Sequence, residues 1–380
     1  MAKLSVFGKG YNRRRALVPG ASHKFNPGPY LSLPSADTFN TSVWTSAKQE
    51  MVTGTGSPTY KGALVRYMWT DLEGAQGVYT LTDIASKLAD MTALGKQLAI
   101  MIHNRSFSLT SHVVPSYMRN ATYDGGEYTY SGSGQVGYNI ATFNANVQTR
   151  YIALFQAIAD SFESNANFEG VGFTETSVGT ATGLNGTSIP TAGQEAARIP
   201  GIVTILSGVK AALPTSLVFQ MCNFTQANIA SLIPQMISAG IGLACPDIMP
   251  DEPELTDVTG SIAGGNLGVY YYFSYYHNLT GTNPVPFCPM IGSRNYYWTS
   301  LPENTAPGHA PANVAELFDY GRDNLFANYM FLTRNRTVTP PAYASTWTDI
   351  PGKLVTFLNT APQSTTAAAG LSTTTPTSYL

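Results

Sequence analysis

Short apolar runs of strand length alternate with amphipathic runs of helix length, and this pattern predicts an α/β chain of parallel βαβ units. Seven strand runs stand out, and a weaker one near Trp44 makes an eighth. Seven or eight such repeats spread over about 300 residues predict a (β/α)8 barrel with long βα loops. A doubly wound sheet is the competing architecture, but no GxGxxG follows a first strand and there is no P-loop.

The elements follow in order. Residues 1–60 are rich in Pro, Gly, Ser and Asn, as in KFNPGPYLSLPSADTFNTS, and read as an extended arm wrapping the barrel, with the weak strand at 41–44 near its end. The barrel is expected over 61–361. It opens with the strand ALVRYMW (63–69), the turn-rich DLEGAQGVYT and a helix over 81–94 whose Ile84, Leu88 and Met91 share a face. Gly95 suits the helix C-cap, and QLAIMIH (97–103) is the next strand. A long loop, 104–139, leads to a helix over 144–162 with Val147, Tyr151, Leu154 and Ile158 on one side. Strand 170–175, helix 194–212, strand 217–223, helix 226–239 and strand 241–245 come next. The acidic loop CPDIMPDEPELTD and the Tyr-rich GVYYYFSYYHN precede strand 285–291, helix 312–324, strand 328–332 and a last helix over 350–358. The remainder, 362–380, is low-complexity Ser/Thr/Ala and is expected to be disordered or a linker.

Composition narrows the function. The 380 residues are 43% hydrophobic and only 12% charged, against about 25% charged in an average protein. Lys and Arg number 21 and Asp and Glu 23, a net charge of −2. That balance excludes a nucleic-acid binder relying on phosphate neutralisation and an acidic solvating chain. No run approaches the ~18 apolar residues of a membrane span. The basic triplet Arg13–Arg15 is followed by no apolar segment, so no secretory signal is read. Cys222, Cys245 and Cys288 lie far apart and there is no HExxH, so buried thiols are expected and no metal, disulfide or cofactor.

A barrel keeps its chemistry at the C-terminal ends of the strands. The polar residues there are Asp71, His103, Asn104, Arg105, Glu175, Asn223, Asp247, Asp251, Glu252, Arg294, Asn295 and Arg334, with Tyr67, Trp69, Tyr117, Tyr296, Tyr297 and Trp298 crowding the same rim. Rings that stack on sugar faces, and amides and carboxylates that pair with hydroxyls, suit a carbohydrate site; a Tyr-rich packing layer would give the same composition. Arg66, Trp69, His103, Asn104, Asn223, Asp251, Glu252, Arg294, Tyr296 and Trp298 are the expected substrate contacts. Glu175 is the sharpest residue: it alternates with Val171 and Phe173 and would enter the barrel if that face points inward. An inward carboxylate needs a partner or a task, and Arg66, set among apolar neighbours, is the natural partner; a structural Arg–Glu pair is the alternative. Glu73 reads as structural, and His112, His277 and His309 have no recognisable partners. No GxSxG elbow is present, which disfavours a Ser/His/Asp hydrolase.

The stretch RYMWTDLEGAQGVYTLTDIASKLADMTALGKQLAIMIHNRSF resembles the second and third strands of clan A glycoside hydrolases, in which an Arg-bearing strand leads to Trp, an LE…G.Y turn, a helix, Gly and a strand ending in His. The resemblance covers about residues 63–175 and implies that GFTETS is the fourth strand, with Glu175 as acid/base. Thr174 stands where that family carries Asn, and VPFCPMIGSRNYYW, the expected seventh strand, lacks the family's nucleophilic Glu. Asp247, in phase with Leu243 and Cys245, is the expected second carboxylate, with Asp251 and Glu252 as alternates.

The expected function is therefore hydrolysis of an oligo- or polysaccharide by paired carboxylates. A carbohydrate-binding or virion structural protein on a degenerate barrel would explain the missing seventh-strand Glu, and a polysaccharide lyase could draw on Tyr, His103 and Arg294. Low charge, abundant Gly, Thr, Ser and Tyr and the low-complexity tail suggest a bacteriophage depolymerase acting on capsule or exopolysaccharide, extracellular or virion-associated, with virion attachment or a homo-oligomer as its assembly and no nucleic-acid or membrane partner.

Overall fold

Side-chain alternation along eight parallel strands divides the apolar residues into a lumen set and a helix-facing set. The computed structural model describes residues 22–52, 60–132, 135–176, 180–181, 190–224, 226–250, 252–261, 264–292, 295, 314–334 and 357–380. The strands are β1 (Gly28–Ser32), β2 (Gly62–Met68), β3 (Gln97–His103), β4 (Phe168–Phe173), β5 (Leu217–Met221), β6 (Gly242–Cys245), β7 (Phe287–Ile291) and β8 (Tyr329–Thr333). Each pairs in parallel with its sequence neighbours and β8 pairs with β1, so the sheet closes into the expected (β/α)8 barrel. Helices α1 (Thr41–Val52), α2 (Thr82–Ala93), α3 (Ala145–Phe162), α4 (Ala192–Ala212), α5 (Gln226–Ser238), α6 (Val269–Thr280) and α7 (Val314–Asp323) follow the first seven strands in turn.

Tyr30, Leu64, Ala99, Met101, Leu217, Phe219, Met221, Ala244, Met290, Tyr329 and Phe331 fill the lumen. The alternate residues of the same strands, among them Val65, Ile100, Val171, Phe173, Leu243 and Cys245, pack under the helices. Gly172 belongs to the lumen layer because a Cβ there would lie 2.1 Å from the ring of Phe219. In α3, Val147, Tyr151, Leu154, Ile158 and Phe162 repeat at helical spacing on the buried side, and the Asn144 side chain caps the first turn by accepting from the amides of Asn146 and Val147. A bulge in β4 turns Glu169 inward at the N-terminal end of the barrel. Its carboxylate accepts from Tyr329 Oη, the Asn26 amide (3.0 Å) and Asn26 Nδ2 (2.8 Å), but burial outweighs these bonds and raises its pKa.

Three expectations are corrected. Residues 41–44 are not a strand but the start of α1, and β1 lies earlier at Gly28–Ser32. What reads as an arm therefore contributes the first βα unit: Pro and Gly flank a strand too short to show alternation, and all five of its residues are buried. The tail is ordered as well. Leu371 and Tyr379 are buried, Tyr379 stacks on His23 at 4.3 Å, and the amides of Ser372, Thr377 and Ser378 bond the carbonyls of Ala327, Asn283 and Pro284. These carbonyls precede β7 and β8, so the tail seals the N-terminal end of the barrel. The loop over 104–139 also carries structure, a hairpin of Glu127–Gly132 and Gln135–Ile140. The last expected helix lies largely outside the described residues.

Candidate active site at the barrel mouth

Alternation on β2 and β3 sends Arg66 and His103 into the lumen, above Leu64 and Met101. Arg66 Nη2 donates to Ser32 Oγ (3.1 Å) and Thr333 Oγ1 (3.3 Å), reaching β1 and β8. Its Nε is buried with no acceptor among the described residues. Burial lowers its pKa to about 10, while the carboxylates of Glu175 and Asp247 act in the opposite sense and hold the charge. His103 is pushed down to about 3 by burial and by Arg66, and its Nε2 is buried without a partner among the described residues. The imidazole should therefore stay neutral in the fold at pH 5, which NMR of the ring nitrogens will show. Below about pH 6.5 the unfolded chain takes up a proton that the folded chain refuses until about pH 3. Stability is lost as pH falls through that window. His103→Gln should flatten the pH dependence of urea unfolding there; an unchanged slope would mean that the ring titrates normally.

Glu175 reaches the mouth by a different route from the one alternation suggests. Val171 and Phe173 face the helices, and β4 ends at Phe173. The chain then turns: Thr174 Oγ1 bonds Asn104 Oδ1, and the Thr174 carbonyl accepts from Gln220 Nε2. This swings Glu175 across the end of β5, where its Oε2 accepts from Asn223 Nδ2 at 2.6 Å. The direct ion partner is Arg105, not Arg66, with Nη1 3.6 Å from Oε2. Arg105 is clamped between the rings of Phe107 and Tyr130, at 4.6 and 4.4 Å, and its Nε donates to Tyr130 Oη at 3.0 Å. Arg105 is among the strand-end polar residues of the sequence, but it is neither an expected substrate contact nor the expected partner of Glu175.

Asp247 likewise leaves its strand's phase, since Leu243 and Cys245 face the helices. The turn after β6 is pinned by Tyr270 Oη, which donates to the Asp247 carbonyl at 2.9 Å. Asn295 Nδ2 donates to Asp247 Oδ1 at 3.0 Å, and Asn295 Oδ1 accepts from the Ile248 amide at 3.1 Å. Gly292, in phase with the inward Met290 at the end of β7, borders this carboxylate: a Cβ there would lie 2.9 Å from both Asp247 Oδ1 and the Pro246 carbonyl. Gly292 thus leaves the room that the Asp247 carboxylate occupies.

Other expected contacts lie elsewhere. Trp69 is fully buried under the helices, its Nε1 donating to Glu73 Oε2 at 2.7 Å and its ring stacked on Tyr151, so it is not a rim residue. Tyr67 is also buried on that side and donates to Asp83. Glu252 caps the short helix Pro253–Thr256. His112 does have a partner, Glu127, and His277 bonds Asn283 and stacks on Phe326. Asp251, Arg294, Tyr296 and Trp298, with His309, lie outside the described residues. Among the described residues no group of three or more His, Cys, Asp or Glu could hold a metal ion, and no helix is long and apolar enough to cross a membrane.

No protein-family model matches the sequence, and no curated protein matches it. Solved structures do. The catalytic domain of beta-amylase from Paenibacillus polymyxa superposes with a TM-score of 0.53 at 11% identity, covering 87% of this chain and 99% of that one. A beta-galactosidase from Bacillus circulans gives 0.52 at 9% identity over 85% of this chain, which spans 52% of that enzyme. Endo-glycoceramidase II from Rhodococcus gives 0.50 at 12% identity, covering 88% and 80% of the two chains. At these identities the likeness is one of fold: the chain is a (β/α)8 barrel that shares its architecture with glycoside hydrolases.

Proposed function

We propose that this chain is a glycoside hydrolase acting on an oligo- or polysaccharide, with Glu175 as general acid/base and Asp247 as the second carboxylate. One observation carries the reading: two carboxylates stand just past the C-terminal ends of β4 and β6, each held by an amide, Glu175 by Asn223 Nδ2 at 2.6 Å and Asp247 by Asn295 Nδ2 at 3.0 Å. Such a pair is what glycosidic cleavage needs, an acid to protonate the departing oxygen and a carboxylate on the other side of the sugar. Asn223 and Arg105 orient Glu175, and His103 stays neutral beside Arg66. Asn223, two residues past β5, supplies an amide beside Glu175 that Thr174 cannot.

The test is to incubate wild type and Glu175→Gln with a panel of bacterial exopolysaccharides, plant and storage glycans and aryl glycosides, following new reducing ends and absorbance of unsaturated sugars. Reducing ends from the wild type alone support the assignment. Unsaturated products point to a lyase, and binding without cleavage to a carbohydrate-binding barrel.

A further inference from the structure

Asn295, just past β7, is fully buried, and its side chain joins the turns that follow β6 and β7. Its Oδ1 accepts from two backbone amides, that of Ile248 at 3.1 Å and that of Gly292. A backbone N–H can only donate, so the atom these amides meet is the carboxamide oxygen, and the orientation of the group is fixed. Nδ2 is thereby turned to Asp247 Oδ1, to which it donates at 3.0 Å. The reverse orientation, with the oxygen ready to accept a proton from Asp247, would set two backbone amides against an NH2 group. The carboxamide therefore meets Asp247 in the sense that suits a carboxylate, and a hydrogen bond to the charged form favours that form. Other titratable groups also pack against Asp247. Tyr270 Oη, from α6, and Cys245 Sγ, from β6, both donate to its carbonyl, at 2.9 and 3.2 Å. Burial raises the pKa of both, so they stay neutral. The Arg66 guanidinium, from β2, interacts with Asp247 through charge.

We infer that Asn295 is the positioning residue of the second carboxylate, holding Asp247 as a fixed hydrogen-bond acceptor in its ionised form. Asp247 then takes the part of the reaction that needs a carboxylate, and the proton donor's part falls to Glu175. That division of roles rests on the glycosidase reading, whereas the sense of the hydrogen bond does not. Two backbone amides from separate turns fix a single carboxamide, so the hold on Asp247 requires both β6 and β7.

Asn295→Asp in the whole protein tests this. It keeps an oxygen for the two backbone amides and replaces the donor by a second carboxylate oxygen. Two carboxylates in contact do not ionise independently, so Asp247 should keep its proton to higher pH. Carbon-13 NMR of labelled aspartate carboxyls follows this, the Asp247 signal being identified by its loss in Asp247→Asn. The expected midpoint lies about one pH unit or more above that of the wild type. The acidic limb of kcat/KM should rise with it, through kcat rather than KM, and activity should return as the pH is raised. A residue that merely braced the two turns would leave both titrations in place, because the bracing oxygen remains. Asp247→Asn combined with Asn295→Asp exchanges donor and acceptor. The exchanged pair should resist urea better than Asn295→Asp alone while staying inactive, and this comparison decides if the single variant does not fold. An unmoved Asp247 midpoint, or an exchanged pair no more stable than the single variant, would overturn the hold of Asn295 on Asp247. A raised midpoint with an unmoved kinetic limb would support that hold and overturn the role given to Asp247 in the reaction.

Discussion

Glu175→Gln should lower kcat on a glycoside with a poor leaving group by about 10²–10⁴, the usual contribution of general acid–base catalysis, while KM changes little. The substituted amide keeps an oxygen for Asn223 Nδ2 but has no proton of suitable acidity to give. An aryl glycoside whose phenolate departs unaided should recover much of the first step. Asp247→Asn should be as inactive without that recovery, because its carboxylate is needed whatever leaves. Gly292→Ala tests the same carboxylate without removing any ionisable group. Its methyl would lie 2.9 Å from Asp247 Oδ1 and from a backbone carbonyl, so the aspartate must move and activity should fall with Asp247→Asn-like insensitivity to leaving group. Near wild-type turnover by both carboxylate variants would remove the paired-carboxylate chemistry.

These predictions rest on residues that the sequence exposes for a reason the structure revises. Glu175 and Asp247 stand out as acids just past apolar strands, and strand alternation would set their direction. Both strands stop two residues earlier, at Phe173 and Cys245, and their apolar alternates face the helices. What aims the carboxylates is the turn that follows: Thr174 tied to Asn104 and Gln220 in one case, Tyr270 bonded to the Asp247 carbonyl in the other. Such long-range bonds leave no periodic trace. Arg66 and His103 lie inside regular strands, where period-two alternation does hold, and their inward direction was legible. The barrel itself was legible for the same reason. Its first strand and its tail were not, because both are ordered by pairing with distant segments rather than by a local apolar pattern.

Arg150→Met should be the most destabilising surface-proximal change, costing about 3–5 kcal/mol, since it leaves a buried carboxylate without its cation. Glu73, in the turn after β2, is fully buried. Its Oε2 accepts from Trp69 Nε1 (2.7 Å), and Oε1 from the Gly77 amide (2.8 Å), Tyr117 Oη (3.0 Å) and Arg150 Nη2. Arg150, on α3, also donates to Tyr117 Oη and Tyr79 Oη at 3.1 Å. Burial alone would lower the Arg150 pKa, but its bonds to Tyr117 and Glu73 outweigh that and raise it. One ion pair therefore joins the β2 turn, its hairpin, the β3–α3 loop and α3. Adding Glu73→Gln to Arg150→Met should recover part of the loss, because a neutral amide needs no counter-charge and its single oxygen can still accept from either Trp69 or Gly77. Urea unfolding of the two single variants and the double variant measures this coupling. A loss within about 0.5 kcal/mol for Arg150→Met, the range of an ordinary surface substitution, would show that solvent replaces the guanidinium and that the turn is held by the hydrogen bonds alone.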